Sequence, residues 1–391
     1  YSSAINNENP EVIKAKELNI PIIKRAEMLA ELMRLKYGIA IAGSHGKTTT
    51  TSFLATILNK LDFRPTFIIG GIVKNLGGHA LKGDSDILIA EADESDGSFL
   101  FLNPIMSLIT NIDNDHLDYY GSEENIESAF QEFANKVPFY GVTAINAHDP
   151  KSIKLLKELR RPYQTFGIKE DSPLVENVDY LASDIEFFEE KTSFKLTFKD
   201  QTCPVEISLS GKHNVLNAIG AISLAHKFGA DFSQACSAIK EFEGVNRRFE
   251  KLYDNKSMAV VDDYGHHPTE LAATIETARK KYPRKKLIAV FEPHRYTRTQ
   301  SFWNEFIECL TKVDIAYVAP IYAASERPIE YIDSEILVKK INEAGGRANH
   351  LNSWDELKTI FTEYKDEQAL VLSMGAGSIS KSTRSQLKEW T

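Results

Sequence analysis

Three cysteines in 391 residues, Cys203, Cys236 and Cys309, are too few and too widely spaced for a disulfide framework or a zinc site, and they suit a reducing compartment. No apolar run approaches the roughly 20 residues needed to span a bilayer, and no signal-peptide pattern opens the chain. Membrane insertion is therefore not expected, and a cytoplasmic enzyme fits. Positive charge is also in short supply: 46 Lys and Arg against 55 Asp and Glu leave a formal net charge of −9. A general nucleic-acid binder needs excess cations on one face, so no nucleic-acid partner is expected. Solenoid repeats and low-complexity linkers are missing too, and the chain does not open on Met. Its start, Tyr1-Ser2-Ser3-Ala4-Ile5, reads as the last strand and exit loop of a preceding N-terminal segment.

What is present is an ordinary globular composition, 42% hydrophobic and 26% charged, in a chain long enough for two or three domains. Short apolar runs bounded by Gly, Pro or Asp alternate with helical patterns, which defines an α/β protein with a mainly parallel sheet. The pattern predicts strands at 37–42, 66–69, 86–91, 106–112 and 142–146, and helices at 48–61 and 122–137. Between residues 180 and 210 the period changes to 2 without helices, which predicts an antiparallel flank. Helices at 214–228 and 232–242 follow. From about Gly244 a second series begins, with strands at 258–262, 286–291, 315–319 and 369–374 alternating with helices at 269–282, 301–312, 334–344, 354–364 and 379–390. It reads as a separate, dinucleotide-fold-like domain.

The sharpest local signal is Gly43-Ser44-His45-Gly46-Lys47-Thr48-Thr49, between a buried strand and a helix. Glycines let the backbone wrap an anion, the helix N-terminus adds partial positive charge, Lys47 a full one, and a Thr hydroxyl can ligate Mg²⁺. The earlier glycine of the usual phosphate loop is replaced by Ile41, so this is a shortened form. A divalent ion needs oxygen ligands nearby. Two acidic strand ends offer them: Glu91-Ala92-Asp93-Glu94-Ser95-Asp96, and Asn111-Ile112-Asp113-Asn114-Asp115-His116-Leu117-Asp118. Spacing alone allows either to be a solvated acidic loop. In the second domain His294, Arg295 and Arg298 crowd positive charge after a strand, as binding a free carboxylate requires. Gly375-Ala376-Gly377 reads as a structural strand-to-helix turn rather than a dinucleotide loop.

Together these segments resemble the Mur ligase family. Further matching segments are Gly211-Lys212-His213-Asn214-Val215-Leu216-Asn217, Asn246-Arg247-Arg248-Phe249-Glu250, Asp262-Asp263-Tyr264-Gly265-His266-His267-Pro268 and Phe291-Glu292-Pro293-His294-Arg295-Tyr296-Thr297-Arg298-Thr299. The pattern is similar to the alanine-adding members in particular. The resemblance implies a three-domain architecture: residues 1–36 as the end of a largely absent N-terminal UDP-sugar domain and its linker, 37–243 as a central ATP-binding domain, and 244–391 as a C-terminal Rossmann-like domain for the amino acid.

By the same resemblance Gly43, Ser44, His45, Gly46, Lys47, Thr48 and Thr49 would hold the ATP phosphates. Thr48, Glu91 and His116 would ligate Mg²⁺ directly or through water, with Glu91 rather than Glu94 at the metal-facing position. Asn214 and Asn217, one helical turn apart, would reach the nucleotide, and Arg248 and Asp263 would contact its phosphate and ribose. Tyr264, His266, His294, Arg295 and Arg298 would receive the amino acid. The implied reaction joins L-alanine to the carboxylate of UDP-N-acetylmuramate through an acyl phosphate, with Lys47, Glu91, His116 and Arg248 as its catalytic groups. Domain closure would shield that intermediate from water. A monomer and a homodimer both remain open. A sister ligase that adds a recycled tripeptide shares the loop, but segments 264–267 and 295–298 favour the alanine pattern. A bare nucleotide switch needs no amino-acid site.

Overall fold

The computed structural model describes residues 1–2, 5–188 and 190–390, the side chain of Asp118 excepted. Ser3 and Ala4, assigned above to the domain exit, lie outside the described residues. The chain divides into two compact units, one of Tyr1–Glu186 and Glu190–Glu243, the other mainly of Gly244–Thr391.

The first unit is built on a ten-stranded sheet: β1 (Tyr37–Ala42), β2 (Thr66–Val73), β3 (Gly78–Leu81), β4 (Ile87–Glu91), β5 (Met106–Ile109), β6 (Val142–Asn146), β7 (Tyr163–Ile168), β8 (Tyr180–Phe187), β9 (Thr192–Phe198) and β10 (Gln201–Ile207). Their spatial order is β10-β9-β8-β7-β6-β5-β1-β4-β2-β3. From β2 to β8 every pairing is parallel, while β3 and β10 run antiparallel to their neighbours β2 and β9. Helices cover the sheet, so its central strands are buried on both faces and read as continuous apolar runs. On one face the helices Lys47–Lys60 and Lys212–Phe228 pack together over the central strands. On the other, Ala30 and Met33 of the helix Arg25–Arg34 and Ile126, Phe130 and Phe133 of the helix Glu123–Asn135 join Ala40, Ala42, Leu88 and Ile145 in one apolar cluster. Residues 25–34 are thus part of this unit's core.

The second unit holds β11 (Glu250–Asp254), β12 (Met258–Asp263), β13 (Lys286–Phe291), β14 (Ile315–Val318), β15 (Ala348–His350) and β16 (Ala369–Met374), ordered β11-β12-β16-β13-β14-β15. All pairings are parallel except β11 with β12. Alternate strand residues feed two cores. One takes Leu271, Phe306 and Leu337 from the helices Pro268–Lys281, Trp303–Thr311 and Ser334–Glu343. The other takes Phe361 and Leu387 from Glu356–Tyr364 and Ile379–Trp390. This is a doubly wound open sheet.

Two expectations need correction. The stretch from 180 is an antiparallel flank only in part: β9 and β10 pair antiparallel at the sheet's edge, as expected, whereas β8 runs parallel to β7. Period-2 alternation reports that one face is exposed; it carries no strand direction. The helix expected over 232–242 stops at Ala238 and finishes as the 3₁₀ turn Ile239–Glu241. Cys203 and Cys236, distant in sequence, come near each other as the helix Phe232–Ala238 packs on β10; burial first, then the neighbouring Cys203, pushes the Cys236 thiol well above its ordinary range. Among the described residues no helix is long and apolar enough to cross a membrane.

Candidate active site

In the first unit β1 is the central strand, with β4 on one side and β5 on the other. The loop after β1 therefore opens at the point where the strand order diverges, the usual crevice of such sheets. Gly43 and Gly46 both carry positive φ, 130° and 84°. A Cβ on Gly43 would lie 2.0 Å from Thr110 Oγ1, and one on Gly46 would lie 2.6 Å from Asn217 Oδ1. Only glycine fits either position.

The end of β5 fixes the loop's shape. Ser44 N donates to Asn111 O at 3.0 Å and His45 N to Asn111 Oδ1 at 3.0 Å. Thr110 Oγ1 donates to His45 O at 2.5 Å, and Asp113 N to Ser44 Oγ at 2.8 Å. His45 Nε2 is 3.1 Å from Asp113 Oδ2. Behind the loop the helix starts at Lys47, with Thr48 and Thr49 buried in its first turn. Asn217 abuts Gly46 from the helix Lys212–Phe228, while Asn214 donates to Ser210 O at 2.7 Å at that helix's start.

Lys47 crosses its own loop. Its Nζ donates to Gly43 O at 2.6 Å and to Glu94 Oε2 and Oε1 at 2.7 and 2.9 Å. Burial disfavours the ammonium, but the charges of Glu94 and Asp93 outweigh it and hold the lysine pKa above its ordinary value. Glu94 is only 3% exposed, and burial pushes its carboxyl up to about 7 against the pull of Lys47. Glu91, at the end of β4, accepts from Thr48 Oγ1 at 3.2 Å and from Gly70 N at 2.6 Å. His116 has a left-handed φ of 63° and begins the short helix Leu117–Tyr120; its Nε2 lies 3.4 Å from Asp115 Oδ2 and 3.9 Å from Glu94 Oε1. Thr48 thus pairs with Glu91, whereas His116 stands by Glu94. The importance of Glu94 and Thr110 was not apparent in the sequence; a strand-end cluster with four acids gives no sign of which one turns inward.

In the second unit Asp263 closes β12. Its carboxylate accepts from Phe249 N and Gly265 N, both at 2.8 Å, and from Thr274 Oγ1 at 3.1 Å. Burial raises its pKa against the Arg248 charge. Arg248 lies 3.8 Å from Glu270 and 5.1 Å over the Tyr264 ring. His266 N donates to Glu270 Oε2 at 3.0 Å. His294 stacks on Tyr322 at 5.4 Å with an interplanar angle of 10°, meets the His266 ring at 5.9 Å, and is approached by Arg298 Nη1 at 3.4 Å. Burial first, then the charges of His266, Arg298 and Arg295, push the His294 pKa down to about 4. It is a neutral imidazole at physiological pH. Arg295 donates to Glu326 Oε1 at 2.5 Å, and Thr297 caps the same carboxylate through N and Oγ1 at 3.0 and 2.7 Å.

The structure thus gathers Tyr264, His266, His294 and Arg298 at one end of the second sheet. Tyr322 and Glu326, which hold His294 and Arg295, come from the loop after β14 and had no sequence signal. The turn 375–377 packs on Glu292: a Cβ on Gly377 would lie 2.7 Å from Glu292 Oε2 and 2.6 Å from the Tyr322 ring, and Ser378 Oγ donates to Glu292 at 2.7 Å.

An open parallel sheet with a glycine loop after its central strand, and a lysine laid across that loop, defines a phosphate-loop α/β protein. Three domain models match in chain order: Mur ligase family, catalytic domain, over residues 1–37; Mur ligase middle domain over 41–225; and Mur ligase, glutamate ligase domain, over 247–377. The chain belongs to the Mur ligase family. It is 42% identical over 380 residues to a UDP-N-acetylmuramate–L-alanine ligase of Syntrophotalea carbinolica, covering 97% of this chain and 81% of the relative. A protein of the same name from a Sulfurihydrogenibium species is 42% identical over 381 residues, covering 97% of this chain and 82% of the relative. Among solved structures, the UDP-N-acetylmuramate-alanine ligase of Thermotoga maritima superposes with a TM-score of 0.82 at 26% identity, covering 100% of this chain and 84% of that one.

Proposed function

We propose that this protein joins L-alanine to the carboxylate of UDP-N-acetylmuramate at the expense of ATP, the first amino-acid addition in peptidoglycan precursor synthesis. The observation that carries this is the 42% identity, sustained over 97% of the chain, to relatives that bear that activity in their name. A carboxylate is a poor electrophile, so one of its oxygens first attacks the γ-phosphorus and ADP leaves. The alanine amine then attacks the acyl carbon, phosphate departs with the C–O bond electrons, and the nitrogen loses its proton. The phosphate loop, with Lys47 and Arg248, supports this through positioning and charge neutralisation, the main demands of phosphoryl transfer.

Magnesium fits the hard oxygen donors Thr48 Oγ1 and Glu91, 3.2 Å apart. When bound there it neutralises charge on the triphosphate. His116, a nitrogen donor beside Glu94, suits a water-mediated role better. Asn214, Asn217 and Asp263 are assigned to the nucleotide. Asp263 already satisfies three internal donors, so its part includes holding the Arg248 turn. Neutral His294 with Arg295, Arg298, His266 and Tyr264 is assigned to alanine: the guanidinium groups suit its carboxylate, and a neutral imidazole does not repel its ammonium group. The three free thiols fit a reducing, cytoplasmic setting.

Mass spectrometry of the sugar nucleotide tests this reading. The protein is incubated with Mg·ATP, UDP-N-acetylmuramate and equal amounts of alanine, glycine and serine. A dominant alanine adduct is expected; no adduct with any acceptor would overturn the proposal.

A further inference from the structure

In the turn before β11 two non-glycine residues one apart hold left-handed backbone, Arg247 at φ 62° and Phe249 at φ 46°. Strain of this kind persists only where the surroundings over-determine it, and it collects at functional sites. Between the two stands Arg248, assigned above to the phosphate.

The turn is held by a charge network of two buried carboxylates and a half-buried arginine of the C-terminal helix Ile379–Trp390. Arg384 Nη2 donates to Glu250 Oε2 at 2.6 Å and to Asp262 Oδ2 at 3.0 Å. Asp262 is fully buried and also accepts from Ser380 Oγ at 2.6 Å. Glu250 Oε2 in turn accepts the backbone N–H of Arg247 at 2.8 Å, within the strained turn itself. On the far side Arg247 Nη2 donates to Gly375 O at 2.7 Å, and its guanidinium lies 4.7 Å over the same Tyr264 ring that Arg248 covers. Tyr264 N donates back to Arg247 O at 2.7 Å. Two guanidinium groups, Arg247 and Arg384, thus face two carboxylates, Glu250 and Asp262. Without Arg384, Asp262 keeps Ser380 Oγ and the Arg247 charge. Glu250 then loses the contact that fixes its oxygen under Arg247 N, and the turn can relax to right-handed φ.

We propose that Arg384 is a positioning residue for the ligation reaction: through Glu250 it keeps the 247–249 turn left-handed and so aims Arg248 at the transferred phosphate. The inference rests on the ATP-dependent reading above. A purely structural ion network would make the same contacts, so the test must separate the two.

Arg384→Ala, Arg384→Lys, Arg248→Ala and the 248/384 double alanine variant are compared with the full-length protein for kcat and for both KM values. Misplacing a charged group by about an ångström can cost roughly 100-fold. Arg384→Ala should lower kcat by about 10- to 100-fold with the KM for L-alanine within about twofold of wild type. Arg384→Lys, which keeps charge but loses the fork, should fall between the two. In the Arg248→Ala background the loss of Arg384 should cost under about twofold more, since the group it aims is gone. Wild-type kcat in Arg384→Ala, or losses that multiply in the double variant, would overturn the proposal. Should circular dichroism show Arg384→Ala unfolded, Arg384→Lys and Glu250→Gln carry the same cycle. Absence of alanine-dependent turnover in the wild type would sink the functional reading instead. A crystal structure of Arg384→Lys then decides the positioning claim alone: relaxed φ at Arg247 supports it, and an unmoved 247–249 turn overturns it.

Discussion

Lys47 Nζ lies 2.7 and 2.9 Å from the two carboxylate oxygens of Glu94, and 2.6 Å from the carbonyl of Gly43 in its own loop. The lysine is folded across the position it must leave, or share, when phosphate arrives. Its partner is almost fully buried, so neither charge can be removed independently of the other.

Lys47→Met should abolish turnover and also destabilise the first unit, because it strands a buried carboxylate. Breaking one side of a buried pair costs about 3–5 kcal/mol. Adding Glu94→Gln should recover part of that stability without restoring activity. Urea unfolding followed by circular dichroism checks this; a double variant no more stable than Lys47→Met contradicts it.

His294 should make the second unit acid-sensitive. Its pKa is pushed down to about 4 in the folded protein, from an unfolded value near 6.5. Between those values the unfolded chain binds the proton and the folded chain does not, so the stability is present above pH 6.5 and lost as pH falls toward 4. The full effect is up to about 3 kcal/mol. All three tryptophans, Trp303, Trp354 and Trp390, lie in this unit, so their fluorescence reports its unfolding selectively. His294→Gln should flatten the dependence; an unchanged slope would contradict the assignment.

Gly46→Ala should weaken Mg·ATP binding by at least about tenfold, through positive φ and a Cβ placed 2.6 Å from Asn217 Oδ1. Asn217→Ala in that background relieves the collision but not the backbone strain, so recovery should be partial. Titration calorimetry with ATP measures both; full affinity in Gly46→Ala would contradict this account of the loop.

Arg298→Gln should raise the KM for L-alanine about 10- to 100-fold, as loss of a charge-assisted hydrogen bond worth roughly 1.5–3 kcal/mol implies. The KM for ATP should stay within about twofold. Equal effects on both substrates would assign Arg298 to holding the fold rather than to alanine.

The alternation of buried strands and helices was legible because each central strand is an apolar run bounded by turn residues: β1, β6, β13 and β16 coincide with the ranges read from sequence. What escaped were the edges. β3, β11 and β15 are short and mostly exposed or half-buried, and edge strands need no continuous apolar pattern. The phosphate loop and the His294–Arg298 segment were visible as residue types in order. Their supports were not, because Thr110, Glu94, Tyr322 and Glu326 act through contacts that spacing does not record. Which of Glu91 and Glu94 faces Lys47 depends on one backbone turn, and no periodicity encodes it.

The most direct test of the ligase account is phosphate release from Mg·ATP by the full-length protein, with UDP-N-acetylmuramate always present and L-alanine, a tripeptide or no acceptor added in parallel. Release that rises strongly with L-alanine alone is the predicted result. Release indifferent to every acceptor would contradict the account, and a response to the tripeptide alone would place the chain with a peptide-adding ligase.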